Sequence, residues 1–178
     1  IMEIAERHDL IVIEDNAHGL FGTYNGRKLG TIGHMATQSF HETKNIICGE
    51  GGALVINESR FNDRAEVLLE KGTNRANFFR GEVDKYTWVD KGSSYVMSDI
   101  LAACLYGQLS KSSEIQEKRK VIWNTYFDGL KQWAVTNSVR LPYVPEGCEQ
   151  AFHMFYLILP SAKARSSFID HMKGEGIS

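Results

Sequence analysis

The run Leu10-Ile11-Val12-Ile13, closed by Glu14-Asp15, constrains this chain more than any other stretch. Four consecutive apolar residues leave neither face of a strand polar. Such a strand belongs inside a sheet covered on both sides, with the two acids at its carboxyl end. Ahead of it, Ile1 to His8 repeats with a helical period and has no capping residue in front. A helix followed by a buried strand predicts a parallel sheet in an α/β fold. The helical pattern is already under way at the first residue, and an amphipathic helix from Phe168 to Lys173 runs out at Gly176-Ile177-Ser178, where a strand is expected. Both ends read as cut, and the chain as the interior of a longer protein.

Gly19, Gly22, Asn25-Gly26 and Gly30 punctuate a loop or hairpin before a second strand, Met35 to Phe40. Gly49-Glu50-Gly51-Gly52 then turns the chain into a third strand, Ala53 to Ile56. Ser59 is read as the N-cap of a helix through Leu69, with Gly72 as the C′ residue that stops it. Thr73 to Ser94 has no regular period, yet it gathers Phe78, Phe79, Tyr86 and Trp88 among Arg75, Arg80 and Lys85, the make-up of a working loop. Ser98 caps a helix from Asp99 whose apolar positions continue, after a break, from Ile115 to Leu130, long enough to bridge two domains. Pro142, Pro145 and Gly147 mark a connector, and Met154 to Leu159 is expected to begin a strand of a second, smaller domain. The division expected is residues 1–115 and 116–178.

With 178 residues, 43% of them hydrophobic and 24% charged, the chain can bury a sizeable core. A net charge of −2 argues against nucleic acid or an anionic membrane as partner and favours a small polar substrate. No apolar run reaches the roughly 18 residues of a membrane span, so a soluble protein is expected. Cys48, Cys104 and Cys148 make neither a disulfide framework nor a metal knuckle, which suits a reducing cytoplasm.

Two residues carry the chemistry. Asp15 ends a strand, where open α/β sheets place ligand sites, although alone it reads equally as a cap or surface acid. Lys44, in Ser39-Phe40-His41-Glu42-Thr43-Lys44-Asn45, lies just past another strand end, where a lone lysine is ordinarily solvated. Together, a buried carboxylate and a loop lysine from neighbouring strand ends are what pyridoxal 5′-phosphate (PLP) requires. The amine takes the aldehyde, and the carboxylate keeps the pyridine nitrogen protonated so that the ring accepts electrons. His18 is placed to touch the ring and Ser39 to offer a hydroxyl to the phosphate, each with a local backbone-bonding role as its alternative.

These residues resemble the DegT/StrS group of sugar aminotransferases, through Glu14-Asp15-Asn16-Ala17-His18-Gly19, Gly30-Thr31-Ile32-Gly33, the segment from Ser39 to Asn45, and Gly49-Glu50-Gly51-Gly52-Ala53. The resemblance runs the length of the chain. It implies a PLP-dependent transferase fold of the aspartate aminotransferase type, here the second half of the large-domain sheet and the start of the small α/β domain. By position it implies Lys44 as Schiff-base lysine, Asp15 as partner of the pyridine nitrogen and Ser39 as phosphate ligand. His18 stands where many members have glutamine. Ser94 replaces the asparagine that in the family reaches the phosphate of the neighbouring subunit, so a homodimer is implied with that contact shortened or lost.

Lys71 to Arg75, Phe79-Arg80-Gly81, Asp84 to Trp88 and Gly92 to Tyr95 look like a branch of the family that aminates dTDP-4-keto-6-deoxyglucose at C4, with L-glutamate as donor, for cell-surface polysaccharides such as lipopolysaccharide and enterobacterial common antigen. Arg75, Arg80, Tyr86 and His153 are then the expected substrate contacts, arginines for a diphosphate and aromatic faces for the base or sugar. The same aromatics equally suit a dimer interface. Three alternatives weigh less. A sugar dehydratase of this fold has histidine in place of Lys44, and an inactive relative has no need of Asp15 with Lys44. A metal site from His34, His41 and Glu42 matches no ligand spacing, so no metal is expected.

Overall fold

The computed structural model describes residues 1–177. The elements in order are α1 (Met2–Arg7), β1 (Ile13–Asp15), β2 (Thr23–Tyr24), β3 (Arg27–Lys28), β4 (Met35–Ser39), β5 (Gly52–Ile56), a 3-10 turn (Ser59–Phe61), α2 (Asn62–Leu69), α3 (Arg75–Phe79), α4 (Asp99–Ser110), α5 (Ser112–Thr136), β6 (Cys148–Glu149) and α6 (Ala162–Gly174). One sheet has the order β1-β4-β5, with β1 and β4 parallel and β4 and β5 antiparallel. The other, β3-β2-β6, is antiparallel. The expected α/β architecture is present, with one antiparallel strand in the sheet predicted to be parallel.

Local chemistry accounts for most boundaries. Asn25 (φ 48°) and Gly26 (φ 75°) both take left-handed conformations, the backbone of the tight hairpin turn that joins β2 to β3. Ser98 Oγ accepts the Leu101 N–H at the start of α4, and Ser161 Oγ accepts that of Ala164 at the start of α6. The break in the long helix falls at Lys111. Ser59, expected to cap α2, instead opens the 3-10 turn. The stop of α2 is also displaced by one residue: Lys71 (φ 62°) holds the C′ position, and Gly72 (φ 74°) follows with its N–H on Val67 O, the outer bond of a Schellman motif.

Two expected strands need correction. Pairing in β1 begins only at Ile13, and the apolar run before it is open, with Leu10, Ile11 and Ile13 more than half exposed. The pattern reports a surface that requires cover, and none of the described residues supplies it. Met154 to Leu159 forms no strand; its one ladder contact is an isolated bridge between Ile158 and Arg140. Just upstream, helix α5 takes the place of a partner strand. Gln116 Nε2 donates to Ala151 O, Arg119 Nε to Phe152 O, Arg119 Nη2 to His153 O, and Trp123 Nε1 to Met154 O, at 3.0–3.2 Å. These three residues stand on one helix face, so four consecutive carbonyls are satisfied by side chains and no sheet is needed.

The core beneath the site is Phe40, Ile46 and Cys48, with Leu20, Phe21, Met97, Leu101 and Leu105 packed on it. Ile46 is fully buried, worth roughly 1.5–3 kcal/mol of apolar transfer, and it pins the loop just past Lys44 onto α4.

Candidate active site

β1 and β4 run side by side with Asp15 opposite Thr37, so Asp15 and Ser39 both lie at the carboxyl ends of parallel strands. Lys44 follows five residues later in a turn closed by its own N–H to His41 O at 2.9 Å. Lys44 Nζ and His18 Nε2 are hydrogen-bonded at 2.9 Å. Since His18 is three residues beyond Asp15, the loops carrying the acid and the amine meet. The His153 ring stands edge-on to His18, centroids 4.7 Å apart. One locus thus gathers Asp15, His18, Ser39, Lys44 and His153.

Each member has a distinct state. Asp15 is exposed rather than buried as expected; Oδ1 accepts the Ala17 N–H, and Oδ2 has no partner among the described residues. Ser39 Oγ is 3.5 Å from the His41 N–H, a long local contact that leaves the hydroxyl available. Burial pushes the His153 imidazole down from the ordinary histidine value, and the charges of His18, Arg119 and Lys44 push the same way. Its Nδ1 is buried without a hydrogen-bond partner.

Three residues that the sequence reading passed over support this locus. Glu14 accepts the N–H groups of Gly30, Ile32 and Gly33 at 2.8, 2.7 and 2.6 Å, fastening the 30–33 turn to the strand end beside Asp15. Burial raises its carboxyl, but these three bonds and the Arg27 charge outweigh that and hold it below the ordinary carboxylate value. The turn requires Gly30, which has φ 87° and whose Cβ would crowd Gln38 and Asn16. Asn45, buried next to Lys44, donates to Ala151 O at 2.7 Å and joins the lysine loop to the segment that carries His153. Arg119 holds that segment from the helix side. The signal for the last was available, since Gln116, Arg119 and Trp123 share a helix face.

The expected substrate contacts from 75 to 94 are engaged elsewhere. Arg75 Nη1 binds both oxygens of Glu70 at 3.0 and 3.1 Å, with its guanidinium 4.9 Å from the Phe79 ring centre. Arg80 reaches Glu66 at 2.9 Å and Glu82 at 3.0 Å, Tyr86 tilts against Phe78, and Ser94 forms an isolated bridge with Glu70. The histidines weighed as metal ligands serve local contacts: His34 Nδ1 accepts the Val12 N–H while Nε2 faces Glu58, and His41 bonds Thr43. A cavity of about 660 Å³ lies away from Lys44, between the start of α5 and the 144–152 connector, and borders the locus only through Phe152.

Comparison with known proteins gives the family and the fold. Residues 1–178 match the DegT/DnrJ/EryC1/StrS aminotransferase family. The chain is 32% identical over 181 residues to the spore coat polysaccharide biosynthesis protein SpsC of Bacillus subtilis, covering 98% of this chain and 46% of that protein. It is 32% identical over 155 residues to the GDP-perosamine synthase of Caulobacter vibrioides, covering 87% and 39%. A DegT DnrJ EryC1 StrS aminotransferase from Brucella abortus superposes with a TM-score of 0.81 at 28% identity, covering 98% of this chain and 43% of the other. The chain spans less than half the length of each.

Proposed function

The chain belongs to the DegT/DnrJ/EryC1/StrS aminotransferase family, and from that premise we propose that the polypeptide carrying it moves an amino group from L-glutamate to C4 of dTDP-4-keto-6-deoxyglucose, with Lys44 as the Schiff-base residue. The observation that carries this reading is the bond between Lys44 Nζ and His18 Nε2 at the strand ends where Asp15 also emerges.

The family depends on PLP. Bound here, it would supply an aldehyde for an amine and a ring that takes up the electron pair released at the substrate carbon. The residues present fit it. Lys44 supplies the amine, Asp15 the carboxylate with one oxygen disengaged, Ser39 a hydroxyl for the phosphate, and His18 an imidazole beside the ring. The unpartnered Nδ1 of His153 is an orphaned polar atom that a polar ligand in this locus would satisfy. For proton movement, the His18 ring hydrogen-bonded to Nζ offers a group through which a proton can pass to or from the amine. Burial of His153 disfavours its charged form beside the Lys44 amine.

Arg75 and Arg80 support a diphosphate-linked substrate, because exposed ion pairs such as theirs are weak and a diphosphate can replace the carboxylates. GDP-perosamine synthase is by its name a maker of a nucleotide-linked sugar, and SpsC by its name serves a surface polysaccharide; both support such a substrate and such a pathway. Phe79, Trp88 and Tyr95, each at least two-thirds exposed, support a homodimer in which the 75–95 segment and Ser94 meet a second copy near the site. The division proposed remains residues 1–115 and 116–178, near the break at Lys111 that separates α4 from α5, and a cytoplasmic setting accords with three free cysteines.

The test is to treat the full-length polypeptide with PLP and borohydride, map the adduct, and assay it with glutamate and dTDP-4-keto-6-deoxyglucose. A reduced adduct on Lys44 and a 4-amino sugar product are expected. An adduct spread over other lysines, or absent, overturns the assignment of Lys44; an adduct without product overturns only the substrate.

A further inference from the structure

Helix α5 makes no hydrogen bond to Lys44 among the described residues, yet it holds the backbone on which His153 is mounted. Arg119 is half-buried, and its guanidinium straddles two successive carbonyls, Nε on Phe152 O at 3.2 Å and Nη2 on His153 O at 3.0 Å. Just before those carbonyls the chain makes an unusual excursion: Phe152 has φ 50°, a left-handed conformation that a bulky aromatic residue rarely takes. The two clamped carbonyls flank His153, and one planar fork of donors reaches both. The flanking bonds from Gln116 to Ala151 O and from Trp123 to Met154 O hold the ends of the same excursion. Directly after the left-handed residue comes His153, edge-on to His18, which is bonded to Lys44.

We propose that Arg119 is a positioning residue: by clamping the carbonyls of Phe152 and His153, one on each side of the His153 Cα, it fixes the backbone at His153 directly after the left-handed Phe152 and so sets the His153 ring against the His18–Lys44 pair. The inference rests on the reading of Lys44 as the reactive amine, but only for its consequence in catalysis; the clamp itself acts on backbone. Arginine is required because two divergent carbonyls need two N–H donors in a fixed plane, whereas lysine offers a single point of charge on a flexible stem. A cleft of about 180 Å³ beside Arg119, lined also by Trp123, Tyr126, His153 and Phe155, gives the segment room to move when the clamp is lost.

Arg119→Lys is the decisive variant, because it keeps the positive charge. The charged and titratable groups facing His153 are His18, Lys44 and Arg119, so loss of the Arg119 charge alone would already raise the His153 titration. Lysine at 119 removes that ambiguity. In the full-length polypeptide labelled with 13C at histidine Cε1, with His18→Gln and His153→Asn used for assignment, His153 should titrate below the ordinary histidine value and show a nuclear Overhauser effect to His18. In Arg119→Lys the midpoint should rise towards the ordinary value and the His18 contact should vanish, while Lys118→Arg, at an exposed position of the same helix that pairs with Glu114, leaves both in place. An unchanged midpoint and contact in Arg119→Lys overturn the proposal, as does absence of the contact in the wild-type protein, which needs no variant to fold. Borohydride trapping of PLP is run on the same samples: an intact His153 response without an adduct on Lys44 refutes the aminotransferase reading and leaves the clamp standing.

Discussion

Replacing Glu14 by glutamine is a near-isosteric change with a cost that can be worked from the structure. Oε1 receives Ile32 N–H and Gly33 N–H, and Oε2 receives Gly30 N–H. The glutamine oxygen can keep the first two as neutral bonds, but its NH2 then faces the Gly30 N–H, donor against donor. A hydrogen bond to a charged group is worth about 1.5–3 kcal/mol and a neutral one about 0.5–1.5. Weakening two bonds and losing one sums to roughly 3.5–6 kcal/mol, which solvent screening at a half-buried site reduces to roughly 2–3 kcal/mol. For a chain of this size that lowers the melting temperature by roughly 5–10 °C.

The same variant carries a pH signature. The folded carboxyl is depressed below its ordinary value of 4.5, so the unfolded state binds the proton more readily. Its stabilisation is then fully present above that value and is lost as pH falls through the folded one. Urea titrations of wild type and Glu14→Gln at pH 7 and at steps below 4.5 should show a gap that closes on acidification. A gap under about 0.5 kcal/mol at pH 7, or one that stays constant into acid, refutes the reasoning, because the three bonds would then not be charge-assisted.

Gly72→Ala should destabilise the chain by at least ~3 kcal/mol, since a Cβ at φ 74° would collide with the backbone of Asp90 and Lys91; chemical denaturation reads this directly. Trp123→Phe removes the indole bond to Met154 O and part of a buried ring stacked on Phe127, for a loss of roughly 1–3 kcal/mol without loss of helix by circular dichroism. Burial pushes the Cys48 thiol up from its ordinary value, with Cys104 and Glu50 adding, whereas Cys104 is exposed. A maleimide should therefore label Cys104 at least roughly tenfold faster than Cys48 by mass spectrometry, and equal rates would show that the core under the Lys44 loop is open.

What could be read from the sequence divides along a physical line. β4, β5, α4 and the break at Lys111 follow from period and capping, which are local, and the sequence places them to within a residue or two. Asp15 and Lys44 carry meaning only as a pair, first through the chemistry that PLP requires and then through the resemblance, because nothing in either residue alone separates it from a solvated surface group. Leu10 to Ile13 shows the limit of the hydrophobic pattern: it states that a segment needs cover but not which polypeptide brings it, and here the strand stands open in a chain less than half as long as its relatives. Met154 to Leu159 shows a second limit. An apolar run can be satisfied by a neighbouring strand or by side chains of a helix more than thirty residues away, and Gln116, Arg119 and Trp123 take the second course just ahead of it. The same kind of remote donor, Asn45 on Ala151 O, ties the lysine loop to the His153 segment. The reactive groups of this site are thus announced locally, while their mutual placement depends on buried amide and guanidinium bonds between distant parts of the chain, and those bonds are where substitutions should separate binding geometry from fold.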